Sequence, residues 1–98
     1  MTRRLDRKPE GCKLLRVEVE VDGGLVGAVR VRGDFFAHPE ELFEAAEAAL
    51  AGQEIVHLRE VALKAFSWPG LRLYGATAEA IAETIFLACG GEDALQIS

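Results

Sequence analysis

From Leu15 to Val21 apolar and charged residues alternate without a break, Leu15, Val17, Val19 and Val21 against Arg16, Glu18 and Glu20. A period of two is the signature of a strand with one buried face, because successive side chains point to opposite sides of the backbone. Asp22-Gly23-Gly24 follows, a run that tolerates positive φ. The alternation then resumes from Leu25 to Arg32, with Leu25, Gly27, Val29 and Val31 in phase and Arg30 and Arg32 opposite. Apolar residues of both strands must share one side, and that parity asks for an odd-length loop over Asp22 to Gly24. Glu18 and Glu20 then lie near Arg30 on the open face, a screened pairing that favours register more than stability. A hairpin alone is marginal in water, so its apolar face needs a cover.

The cover is helical. Pro39 before Glu40 and Glu41 reads as a first helical turn, with Pro at N1 and carboxylates at the positive helix end. The spacing of Leu42, Phe43, Ala46, Ala49 and Leu50 predicts a helix to about Leu50 with Glu40, Glu44 and Glu47 in water, ended by Gly52. A second helix is expected from His57 to about Phe66 on the stripe Leu58, Val61, Ala62 and Ala65, stopped by Trp68-Pro69-Gly70. Leu71, Leu73 and Tyr74 fit either a short third strand or a packed connection. Thr77 caps a last helix over Ala78 to Ala88, with Ile81, Ala82, Ile85 and Cys89 inward and Gly90-Gly91 closing it. The expectation is an α+β, two-layer domain: an antiparallel β-hairpin of two to three strands covered on one face by about three helices.

With 98 residues the chain is a single domain, 1–98, with room for one sheet and a few helices and no large catalytic domain. Its net charge of -5 is uneven: residues 1–16 hold six basic and two acidic side chains, so the body is acidic and a basic N-terminal arm, 1–12, precedes it. An acidic body repels phosphate backbones, and no aromatic residues interleave with the basic ones of the arm, which argues against nucleic acid as a partner. The arm reads as a solvated, poorly ordered terminus and residues 92–98 as a frayed tail. Cys12 and Cys89 lie 77 positions apart with no CxxC, which fits a reduced, cytoplasmic setting. No apolar run is long enough to span a bilayer, and no signal-peptide core stands at the N-terminus.

Two histidines, one tyrosine and two separated cysteines supply no nucleophile, base and orienting group, and no glycine-rich phosphate cradle is present. Catalysis by this chain alone is not expected. The loop Gly33-Asp34-Phe35-Phe36-Ala37-His38 is distinctive, because it sets a carboxylate and two adjacent aromatics beside a helix N-terminus, a place for an anion or a contact surface. Asp34 has a structural use in bonding backbone N–H groups, and one phenylalanine has another in filling the core. Adjacent residues do not readily both face inward, so an exposed phenylalanine becomes a partner contact. His38 reads as a polar residue beside a helix start, Cys89 as a small core residue, and Cys12 as a thiol at a strand entrance.

Arg7-Lys8-Pro9-Glu10-Gly11-Cys12-Lys13-Leu14-Leu15, the hairpin, and Gly33-Asp34-Phe35-Phe36-Ala37-His38-Pro39-Glu40-Glu41 together resemble the C-terminal accessory domain of lipoate-protein ligases. In that family the first motif usually reads Gly-Gly-Lys, with glycine where this chain has Cys12, and the second Gly-Asp-Phe-Phe before a Pro-Glu helix start. The likeness spans roughly residues 8 to 89, with 13–89 as the accessory domain proper. It implies a division of labour: a large ligase domain binds lipoate, ATP and magnesium, makes lipoyl-adenylate and passes the lipoyl group to a lysine of an acceptor domain. In some members the small domain is a separate polypeptide needed for the activation step, and a chain with its own Met1 matches that arrangement. The implied role is a non-catalytic accessory subunit that binds no cofactor alone, with the catalytic large subunit and lipoyl acceptor domains as partners and neither membrane nor nucleic acid. Adenylation develops negative charge on the leaving pyrophosphate, and Lys13 is the expected point charge near it. Gly33, Asp34, Phe35, Phe36 and His38 are the expected interface with the large subunit.

The order of hairpin, glycine loop and helix is also NifU/SufE-like, resembling iron-sulfur scaffold and sulfur-acceptor proteins that carry a cysteine after the glycine. Here that position is Asp34, and a scaffold needs about three clustered soft ligands. A protein-protein adaptor is the remaining alternative.

Overall fold

The computed structural model describes residues 1–90. Five strands and three helices follow in the order β1 (Thr2–Arg7), β2 (Leu15–Asp22), β3 (Leu25–Gly33), β4 (Phe36–His38), α1 (Glu40–Ala48), α2 (Ile55–Phe66), β5 (Arg72–Tyr74) and α3 (Ala78–Ala88). β1, β2 and β3 form an antiparallel sheet in that order, and β4 pairs with β5 in a separate two-stranded ribbon. The fold is α+β, with the helices on one face of the larger sheet. The expected tail at 92–98 lies outside the described residues, among which no helix is long and apolar enough to cross a membrane.

The alternation of β2 survives intact, with Leu15, Val17 and Val19 buried under the helices. β3 departs from expectation. The loop is two residues long, Gly23 and Gly24 at φ 58° and 84°, and pairs Asp22 with Leu25. That is the geometry of a hairpin turn whose twist suits the flanking strands. Parity is restored by a bulge instead, since Val19 opposes Val29 and Val21 opposes Val26, so Gly27 and Ala28 together face Glu20. Val26 therefore points inward while Leu25 stays half exposed, the reverse of the strict alternation.

The third strand of the sheet comes from residues 2–7 of the basic arm, which corrects the reading of that arm as poorly ordered, although most of its side chains are exposed as expected. β1 runs antiparallel to β2 from Thr2 opposite Glu20 to Arg7 opposite Leu15. Leu5 is its one apolar side chain and packs on the core. Arg7 crosses to α3 and donates to the hydroxyl of Thr84 at 3.1 Å, which itself donates to the Ala80 carbonyl at 2.7 Å. A ladder of backbone bonds is indifferent to side-chain polarity, so hydropathy gives no sign of this strand.

α2 buries Ile55, Leu58, Ala62 and Phe66 and packs on α3, whose buried face takes in Ile81, Ala82, Ile85 and Phe86. The helix begins two residues before the expected His57 and carries its stripe on Phe66, with Val61 and Ala65 at the flank. Arg59 ties the two helices together, 2.9 Å from Glu83 and 4.6 Å above the Phe86 ring centre. α3 has the expected span, and the Thr77 hydroxyl accepts the Ala80 N–H at 3.0 Å. In α1, Pro39 is the N-cap rather than the first helical residue, and Glu47 is buried rather than facing water.

Candidate functional site

The first sequence motif ends and the second begins at one place, where β2 starts and β3 finishes. The Asp34 N–H donates to the Leu14 carbonyl at 3.1 Å, and the Lys13 N–H to the Gly75 carbonyl at 2.7 Å. Gly33 makes the approach possible. Its φ is 148°, and a Cβ there would stand 2.0 Å from the Leu14 oxygen, so no other residue fits without moving the backbone. The chain then turns into β4, which pairs with β5 through Phe36 opposite Tyr74, Ala37 opposite Leu73 and His38 opposite Arg72. Three segments distant in sequence are thereby brought together: Cys12 to Leu14, Gly33 to His38 and Arg72 to Gly75.

The two phenylalanines separate as neighbours on extended backbone must. Phe35 turns in against Phe43, ring centres 5.5 Å apart, and Phe43 stacks on toward Phe66 at 5.1 Å. Phe36 turns out and is 76% exposed. Asp34 and His38 are exposed as well. Lys13 is exposed, and its stem lies against Gly75, where an added Cβ would come within 3.0 Å of its Cγ. The ion pairs among the described residues are Met1–Glu20, Arg4–Glu18, Arg32–Glu47 and Arg59–Glu83, and Lys13 belongs to none of them.

Beside Phe36 runs an open cleft of roughly 320 Å³, lined on one side by Phe35, Phe36 and Phe43 and on the other by Glu40, Glu44 and Glu47 of α1. Glu40 opens the helix and Glu44 follows one turn later, so an anion at its N-terminus would meet like charge. Glu47 is not free: its carboxylate accepts the Val31 N–H at 2.7 Å and an Arg32 guanidinium N–H at 3.0 Å, sealing the outer edge of β3.

Cys12 and Cys89 are both free thiols. Both are buried, and burial pushes the Cys89 thiol up to about 11 against the smaller opposing pull of Arg3. Among the described residues no three His, Cys, Asp or Glu side chains converge as a metal site.

Sequence reasoning passed over Arg72, Tyr74, Gly75 and Glu47. The first three sit in a stretch whose only signal was a weak alternation, and their importance comes from pairing with β4. Glu47 is conspicuous only once β3 lies beside α1.

No protein-family model matches the chain, and no curated protein matches it by sequence. Its fold is similar to that of a chain in the solved structure of an archaeal lipoylation system, a bipartite lipoate protein ligase with its E2 lipoyl domain, from Thermoplasma acidophilum. The TM-score is 0.70 at 22% identity, over 87% of this chain and 97% of that one. The likeness is one of fold, and it takes in nearly the whole of both chains.

Proposed function

We propose that this chain is the non-catalytic accessory subunit of a two-chain lipoate-protein ligase, assisting the ATP-dependent activation of lipoate. One observation carries the reading. The two segments that resemble the ligase accessory domain, separated by the whole hairpin, are hydrogen-bonded to each other at Asp34 and Leu14. The fold likeness to a chain from a bipartite ligase system supports it independently.

In such an activation a lipoate carboxylate oxygen attacks the α-phosphorus of ATP, the bond to the β-phosphate oxygen breaks, and pyrophosphate leaves. A lysine amine of the acceptor domain then displaces AMP from the acyl carbon. Both steps belong to the catalytic chain, which also holds the nucleotide and its magnesium. The part assigned to this chain is positional and electrostatic. Phe36, with Gly33, Asp34 and His38, docks on the catalytic chain, and Phe35 holds that loop to the core from beneath. Lys13, in no ion pair among the described residues and with its stem beside Gly75, contributes a positive charge toward the pyrophosphate as it departs.

The test is lipoate-dependent ATP–pyrophosphate exchange by the catalytic ligase chain of the same organism, alone and with this chain added. The expected result is a rate increase of about tenfold or more. No increase over the catalytic chain alone removes the reading. Lys13→Ala, added at a concentration that saturates the catalytic chain, is expected to lower the stimulated rate by about tenfold. An unchanged rate would withdraw the role given to Lys13 and leave the rest standing.

A further inference from the structure

The β4–β5 ribbon has two faces of opposite character. Ala37 and Leu73 turn toward the core. On the other side Phe36 faces Tyr74 and His38 faces Arg72, all four exposed, with Phe36 at 76% and Tyr74 at 54%. A cross-strand aromatic pair contributes up to about 1 kcal/mol to a ribbon, and that benefit comes from rings covering one another. Phe36 instead leaves three quarters of its surface in water, so register alone does not account for it.

The charge around this pair is divided, with cations on the β5 side and Asp34, Glu40 and Glu44 on the side of β4 and α1. Overall the net charge is -5, yet the outer ribbon face carries no carboxylate. Its polar members are Arg72 and His38, and Lys13 stands at the Tyr74 end, its stem against Gly75. Neither Arg72 nor Lys13 is in an ion pair among the described residues. An aromatic pair edged by cations on its β5 side is complementary to a protein surface with an apolar depression carrying aspartate or glutamate on the matching side, since aromatic and arginine side chains are the groups that anchor interfaces. Single-stranded nucleic acid also takes aromatics and cations, but it needs a continuous basic track for successive phosphates, and beyond Phe36 that track is interrupted by Glu40 and Glu44.

The geometry points to the outer face of the β4–β5 ribbon, with Tyr74 and Arg72 as anchors beside Phe36 and His38, as the docking surface for an apolar patch with carboxylates on its matching side on the catalytic ligase chain. The identity of that partner rests on the function proposed above. Tyr74 and Arg72 lie outside both motifs that resemble the ligase family, so the ribbon register alone assigns them.

The experiment measures affinity of the full chain for the catalytic ligase chain, at physiological and at high salt, for wild type, Tyr74→Ala, Tyr74→Phe, Arg72→Glu and Val56→Ala. Val56, half exposed on the first turn of α2, is the control, because Ile55 beside it bonds the hairpin tip at Gly24, at the other end of β3 from the ribbon. Tyr74→Ala and Arg72→Glu are expected to raise Kd about tenfold or more, Tyr74→Phe and Val56→Ala less than about twofold. The Arg72→Glu effect should shrink at high salt while that of Tyr74→Ala persists. Both substitutions are on the surface, and circular dichroism checks each fold; if one variant fails to fold, the other carries the comparison. Wild-type binding with both ribbon variants binding equally well overturns the docking surface and leaves the accessory function intact. Failure of wild type to bind the catalytic chain overturns both. Self-association abolished by Tyr74→Ala, or tight binding of a short oligothymidylate lost in Arg72→Glu, would assign the face to a different partner and overturn the proposal.

Discussion

Gly33 shows how one residue decides whether the two motifs meet. Its φ of 148° is open to glycine, and the space for a side chain is already taken by the Leu14 carbonyl at 2.0 Å from a Cβ. Gly33→Ala is therefore expected to cost about 2 kcal/mol or more and to lower Tm by roughly 10 °C in a thermal melt. Cys89 is a residue-scale case of a different kind. Its thiol keeps its proton in the folded protein up to about 11, against an ordinary value of 9.0, because ionising it would bury a charge. The unfolded chain loses that proton first as pH rises. The contribution of Cys89 to stability is thus at full strength below pH 9 and is lost between pH 9 and about 11. Chemical denaturation across that range should show the decline, and Cys89→Ala should flatten it relative to wild type.

At the scale of elements, the sheet is held as much by its edges as by its buried valines. Glu47 on α1 closes the outer edge of β3 by accepting from the Val31 N–H and from Arg32, and it is itself buried. Removing it leaves a buried N–H without a partner and frees the guanidinium. Glu47→Ala is expected to cost about 2 kcal/mol in urea denaturation, and Glu47→Gln, which keeps an acceptor oxygen, clearly less. α3 depends on its start in a similar way. The Thr77 hydroxyl satisfies the Ala80 N–H, so Thr77→Ala should cost about 1 kcal/mol without altering the helix span. The two strands of the ribbon are three residues each and hold through Ala37 and Leu73 on the core, which leaves the outer face free for another use.

For the whole molecule the N-terminal strand turns a marginal hairpin into a three-stranded sheet, and Arg7 locks that strand to α3. Removing residues 1–7 is expected to lower Tm sharply and to speed hydrogen exchange most at the odd-numbered amides of β2, beginning with Val21, whose N–H now bonds the Met1 carbonyl at 2.8 Å. Exchange unchanged at those amides would show that β1 contributes little. Much of the fold was legible in local pattern. The alternation of Leu15 to Val21, the spacing of Leu58, Ala62 and Ile81, Ile85, and the cap at Thr77 each report a periodicity or a local bond that a few consecutive residues set by themselves. Long-range pairing carries no such mark. β1 has no hydropathy signal because backbone bonds hold it, and the bulge at Gly27 and Ala28 became necessary only because a two-residue turn had to be reconciled with a shared apolar face. The candidate site divides along the same line. Its motif residues Lys13, Gly33 and Phe36 stand out in the sequence, whereas Tyr74 and Arg72 joined them only when β5 came to lie beside β4. Local order follows from side-chain chemistry within a turn or two of chain, and the company each residue keeps across the fold is decided by which backbones hydrogen-bond, a property nearly blind to side-chain identity.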